Sequence, residues 1–214
     1  MKWNRSTAPS NLLNYFDWES PYVAAKRCYE VCKKHGKLVV VMEPVKGGAL
    51  VNLPQDLEQN LRSCDPEASM ASWAIRFCAG LDHVFMVLSG MSDMSQMLDN
   101  LSYMQEFQLF SEQEEAAIED VANALRKDMA YDPQSFAEAE KVCPKHIGIV
   151  KIAEMLNDHK KMNSYTNTCI YYGPYLGSLG KAADCDRCGK CMCVSAGQDV
   201  IGMLEEAEKT ITHF

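Results

Sequence analysis

The chain has no apolar run approaching the roughly 20 residues of a membrane-spanning helix, so no segment reads as a span. Its first residues, MKWNRSTAPS, lack the apolar stretch of a secretory leader. Positive charge is also short. There are 21 Lys and Arg against 29 Asp and Glu, a formal net charge of −8. A nucleic-acid-binding face neutralises phosphates with clustered cations, so that class of partner is excluded. No low-complexity segment or short repeat is present. What the chain does carry is ten cysteines, in 214 residues that are 47% hydrophobic. That length allows one large or two small domains with a real core. Disulfide scaffolds this rich in cysteine are shorter and loop-rich. Here the cysteines accompany helical and strand patterns, which points to reduced thiols, a cytoplasmic location and a metal cofactor.

Four cysteines carry a pattern. Cys185-Asp-Arg-Cys188-Gly-Lys-Cys191 stands near the C-terminus, and a lone Cys143-Pro144 stands about forty residues earlier. Two-cluster ferredoxins repeat C-x2-C-x2-C-x3-C-P, and the fourth cysteine of each motif ligates the other cluster. By that rule Cys143 completes a set with Cys185, Cys188 and Cys191. The positions of a second set read Pro133, Phe136, Ala139 and Ser195, none of them cysteine. One 4Fe–4S cluster is therefore the expectation. Zinc and an empty, degenerate motif are the alternatives, although structural zinc sites usually pair two C-x2-C knuckles. Cys193 is close to Cys191 for one cube and reads as a spare thiol or a shifted relic of position 195, and Cys169 is near enough in sequence to serve as a substitute ligand. Cys28 and Cys32 share a helix face without further ligands, and with Cys64 and Cys78 they read as ordinary thiols.

The first 130 residues alternate helix and strand signals. Residues 20–35 have helical spacing and end at Gly36. Residues 38–42, Leu-Val-Val-Val-Met, read as a strand buried on both faces of a parallel sheet. Asp65-Pro66-Glu67 signals a helix running to Ala79. A second apolar run occupies 84–88, a helix follows over 93–105, and Ser111-Glu-Gln-Glu114 is a capping box opening a helix to Met129. A further strand is expected at 11–15. This order predicts right-handed βαβ units and a parallel sheet. Strand signals then vanish, which sets a boundary at 126–132, with domains at 1–129 and 130–214.

Asn14-Tyr-Phe-Asp-Trp18, Met42-Glu-Pro-Val-Lys-Gly-Gly48, Ala71-Ser-Trp-Ala-Ile-Arg-Phe77 and Val87-Leu-Ser-Gly-Met-Ser92 resemble the bacterial aldo/keto reductases that carry a C-terminal ferredoxin-type domain. Cys28-Tyr-Glu-Val-Cys-Lys-Lys-His-Gly36 and Tyr171-Tyr172-Gly173 are similar to the same family. The resemblance implies an α/β fold: about three C-terminal βα units of a (β/α)8 barrel, then a small, mainly helical ferredoxin-like domain. It implies oxidoreductase ancestry with NAD(P) as cofactor. The family's catalytic Asp, Tyr, Lys and His lie on earlier strands, and no residue here matches them, Tyr15 and His35 included. Hydride transfer is therefore not expected from this chain alone. Part of the cofactor site is expected at Gly47, Gly48, Gly90, Ser92, Gln96 and Asn100. Glycines let backbone N–H groups approach phosphate, a helix N-terminus favours an anion, and Ser92 is placed as donor or cap. Ser10 stands where the family often has a Gln, and no Lys or Arg occupies 89–96, which weakens any preference for a 2′-phosphate. The partners implied are a complementary barrel half or a second copy, and a redox partner.

Overall fold

The valine-rich run forms the middle strand of a three-stranded parallel sheet. The computed structural model describes residues 9–21, 23–127, 129–162, 165–195 and 197–211. Residues 1–8, read above for a leader, lie outside them. Strands β1 (Ser10–Leu12), β2 (Val39–Met42) and β3 (Val84–Val87) pair in the order β1-β2-β3. Ser10 lies opposite Val40, and Val40 opposite Met86, with an irregularity between Val39 and Val40. Helix α1 (Ala25–Lys34) joins the first two strands, and α2 (Gln55–Cys64) with α3 (Met70–Ala79) joins the second pair. Helices α4 (Met94–Met104) and α5 (Glu112–Arg126) follow. Among the described residues no helix is long and apolar enough to cross a membrane.

Several elements differ from the sequence reading. Burial of β2 on both faces does not hold: Val39 and Val41 are sealed, while Met42 is exposed. On β3, Phe85 and Met86 are 63% and 46% exposed. A sheet this small buries chiefly the face on which its crossover helices pack. Helix α1 starts at Ala25 because Ala24 is left-handed (φ 53°) and Ser20 Oγ accepts from Val23 N. The start expected at Asp65 is only a turn. Ser69 caps α3 instead, accepting from Ser72 N at 3.0 Å. Helix α2 had no counterpart in the sequence reading. The Ser111–Glu114 capping box is present in both directions, but α5 stops at Arg126.

The chain divides into two units, Met1–Lys127 and Asp128–Phe214. The second is built from α6 (Ala137–Lys141), α7 (Ile149–Met162), α8 (Tyr165–Leu176) and α9 (Val200–Ile211). Helix α7 packs on α8 and α9. Ile149, Ile152, Met155, Leu156, Val200 and Ile211 are fully or almost fully buried there. Burying each such side chain is worth about 1.5–3 kcal/mol.

Candidate functional site

All six expected cofactor contacts, Gly47, Gly48, Gly90, Ser92, Gln96 and Asn100, line one cleft of about 810 Å3 in the first unit. The cleft lies where the loops after β2 and β3 leave the C-terminal ends of the strands. Ligands of parallel α/β sheets bind outside that end.

The loop after β2 has an unusual backbone. Glu43, Lys46, Gly47 and Gly48 all have positive φ, at 56°, 50°, 63° and 93°. The two glycines adopt this without penalty. Glu43 and Lys46 store strain that the surroundings must offset. The restraint comes from the segment after β1. Asn14 Nδ2 donates to the Glu43 carbonyl at 3.1 Å and to Asp17 Oδ2 at 2.8 Å. Lys46 Nζ donates to Asp17 Oδ1 at 2.7 Å, and both side chains are buried. The Lys46 ammonium also lies 5.0 Å from the Phe16 ring centroid.

Several expected donors are occupied within the protein. Gly48 N donates to the Val45 carbonyl. Ser92 donates from both its N–H and its hydroxyl to Gln96 Oε1, at 2.8 and 3.3 Å. Asn100 Nδ2 donates to Ser89 Oγ. The cap of α4 is Asp93 rather than Ser92: its carboxylate accepts from Gln96 N at 3.0 Å. A hydrogen bond from Ser95, then the one from Gln96 N, holds the Asp93 carboxyl below its usual pKa. The positive end of α4 is thus already matched by an internal anion.

Four charged residues in the cleft were not singled out by sequence reasoning: Glu43, Glu58, Arg62 and Asp99. Glu58 and Arg62 sit one turn apart on α2, with Arg62 Nε 2.8 Å from Glu58 Oε1. The available signal was that i, i+4 pair on the amphipathic segment QDLEQNLRSC. Only the fold shows that it faces the loops.

The four expected metal ligands lie in the second unit. Cys143, Cys185, Cys188 and Cys191 line one recess, walled by Ile147, Ile149, Ile201 and Leu204. The convergence has a local cause. Ile147 and Gly180 form an isolated parallel bridge, with Gly180 N on the His146 carbonyl at 2.8 Å and Gly148 N on the Gly180 carbonyl at 3.0 Å. This draws the chain after Cys143 alongside the chain before Cys185. A Cβ on Gly180 would stand 2.6 Å from the Lys145 carbonyl oxygen, so only glycine permits the approach. All four thiols are free. Burial pushes the Cys191 thiol up, and the neighbouring Cys185 and Cys143 add to the rise. A cationic centre would reverse that repulsion.

Among the described residues, no three His, Cys, Asp or Glu side chains are gathered as a single metal ion would require. A cubane cluster makes a different demand. Each thiolate binds its own iron, so the sulfurs ring a void rather than meet at a point. The recess that the four cysteines line measures about 10 Å3, and Lys145, Asp186 and Arg187 line it beside the isoleucines and Leu204.

Three of the four positions of a second cluster set belong to the core. Phe136, Ala139 and Ser195 are fully buried, and Ser195 Oγ donates to the Gln198 carbonyl at 2.7 Å. Cys193 is exposed and Cys169 Sγ contacts the Ile211 carbonyl; neither lines the recess.

Parallel βα units with a cleft at the strand C-termini define the first unit as an α/β segment. Residues 11–123 match the model of the Aldo/keto reductase family. The match spans over half of the chain, which belongs to that family. No curated protein and no solved structure gives a match.

Proposed function

We propose that this chain is an iron–sulfur-bearing member of the aldo/keto reductase family. In this reading a single 4Fe–4S cluster is held by Cys143, Cys185, Cys188 and Cys191 in a ferredoxin-type helical unit. The observation that carries it is the meeting of four free cysteines, from segments about forty residues apart, around one recess. When bound, the cluster supplies one-electron chemistry or braces the unit. The protein's own part is to order the ligand loop, exclude water with Ile147, Ile149, Ile201 and Leu204, and set the local charge. The 810 Å3 cleft takes the nicotinamide dinucleotide of the family. No residue here corresponds to the family's catalytic Asp, Tyr, Lys and His, so this chain alone does not transfer hydride. Unpaired thiols and an oxygen-sensitive centre fit a reducing compartment such as the cytoplasm.

Anaerobic purification followed by iron and acid-labile sulfide analysis, with visible and EPR spectra, tests the cluster. The expected result is about four irons and four sulfides per chain. Zinc without sulfide would overturn it. Carbonyl reduction by the isolated chain would overturn the predicted lack of hydride transfer.

A second reading rests on a separate observation. Phe85 and Met86 on β3, and Met94, Leu98 and Leu101 on α4, are exposed. Closed barrels leave no strand edge, whereas an open parallel sheet does. The segment then serves as a barrel portion completed by further βα units supplied by a partner chain. Sedimentation tests this: a stable lone monomer at high concentration counts against it, and assembly weakened by Leu98→Glu counts for it.

A further inference from the structure

We propose that the first unit carries a separate binding site, for an aromatic amine, in a cleft of about 540 Å3 between the segment after β1, the C-terminal half of α3 and one face of α5. None of its lining residues lines the cleft at the strand C-termini, and the proposal does not rest on the cofactor reading. Its volume is that of a small-molecule pocket. Its walls are aromatic. Tyr15 and Trp18 each meet the Phe77 ring edge to face, at centroid distances of 6.2 and 5.7 Å. Phe110 already draws a cation: the Arg76 guanidinium lies 4.5 Å from its centroid.

Two features of the cleft call for polar atoms from outside. Tyr15 is 2% exposed, and its hydroxyl has no hydrogen-bond partner among the described residues. Buried hydroxyls are normally paired, so an orphan in a cleft wall is a place for a ligand's polar atom. Burial pushes its pKa up, and it stays a donor at neutral pH. The second feature is charge. The cations of the lining are engaged: Lys26 pairs with Glu19 at 2.7 Å and Arg76 with Glu114 at 2.9 Å. Arg126 donates to the Phe16 carbonyl at 3.3 Å and to Asn123 Oδ1 at 3.0 Å. Glu115 and Glu119 line the same cleft, one turn apart on α5 and both exposed, and neither forms an ion pair among the described residues. Like charges at that spacing repel, and a shared cation relieves the repulsion. Aromatic faces beside carboxylates favour an organic cation. The fitting molecule has a hydrogen-bonding group for Tyr15, an aromatic ring, and an ammonium at the mouth for Glu115 and Glu119. An aryl carboxylate would bring its charge against theirs.

Titration calorimetry of the full chain with tyramine, phenethylamine and p-hydroxyphenylpropionate at low ionic strength separates these contacts. Tyramine is expected to bind about tenfold tighter than either of the others, and added salt should weaken it by screening. Glu115→Gln/Glu119→Gln should lower its affinity about tenfold. Asp56→Asn, which removes an exposed carboxylate outside the lining, should not. Tyr15→Phe should erase the advantage of tyramine over phenethylamine. It should also raise the urea midpoint of the ligand-free chain, because it removes an unsatisfied buried group. Equal or tighter binding of the propionate overturns the choice of an amine. Unchanged affinity in the double glutamate variant overturns the role of those carboxylates, and a tyramine preference that survives Tyr15→Phe overturns that of the hydroxyl. If none of the three compounds binds at millimolar concentration, the site itself is overturned.

Discussion

Lys46 Nζ sits 2.7 Å from Asp17 Oδ1, with the two side chains 0% and 3% exposed. The pair ties the loop after β2 to the segment after β1, and Asn14 bridges both. Removing one partner of a buried ion pair strands the other charge, at a cost of about 3–5 kcal/mol. Lys46→Met should therefore lower the unfolding free energy of the first unit by that amount, seen as a lower urea midpoint, whereas Lys46→Met/Asp17→Leu should recover most of it. A Lys46→Met midpoint equal to that of the unaltered chain would show that the loop is held by other contacts.

The cysteines give a prediction by position. Cys143→Ser and Cys188→Ser should each abolish most of the iron and sulfide content under anaerobic purification. Cys193→Ser and Cys169→Ser should keep it, because neither thiol lines the recess. Loss in Cys193→Ser with retention in Cys143→Ser would mean a different ligand set.

Gly180 tests how the recess is assembled. Its missing Cβ allows contact with the Lys145 carbonyl at a separation that any side chain forbids. Gly180→Ala must spread the Ile147–Gly180 bridge. Overpacking of this kind costs about 1–3 kcal/mol. The expected readout is reduced cluster occupancy together with a lower midpoint for the second unit. Full occupancy would show that the bridge does not position Cys143.

Glu114 sets a pH dependence. Burial by itself would raise its pKa, but the Ser111 N–H and hydroxyl and the Arg76 guanidinium outweigh that and hold the carboxyl below its usual range. Arg76 Nη2 stands 2.9 Å from Glu114 Oε1, and both side chains are mostly buried. A depressed carboxyl contributes stability that is fully present above its unfolded pKa and is lost as pH falls through the folded one. Unfolding midpoints between neutral pH and about pH 3 should fall more steeply in the unaltered chain than in Glu114→Gln. Parallel curves would remove Glu114 from the account.

Local chemistry made part of this legible. The Ser111–Glu114 box needs only residues three apart, and the run at 38–42 needs only its own composition to read as a strand. The Asp65 start failed because Ser69, four residues on, offered the cap that fits the packed helix. Helix α2 went unread, since QDLEQNLRSC is amphipathic but carries few apolar residues. With it went Glu58 and Arg62, half of the charge in the cleft.

By itself the sequence determined the alternation of strand and helix, the glycine loops, and the C-x2-C-x2-C spacing of Cys185, Cys188 and Cys191. Each follows from periodicity or short-range geometry. Only the tertiary structure decided which charges meet. Lys46 turns inward to Asp17, 29 residues away in the chain. Arg62 enters the cleft already bound to Glu58, and Cys143 reaches Cys185 through a single bridge at Gly180. These depend on strand register and on close backbone approach. Such contacts are long-range, and no local spacing specifies them.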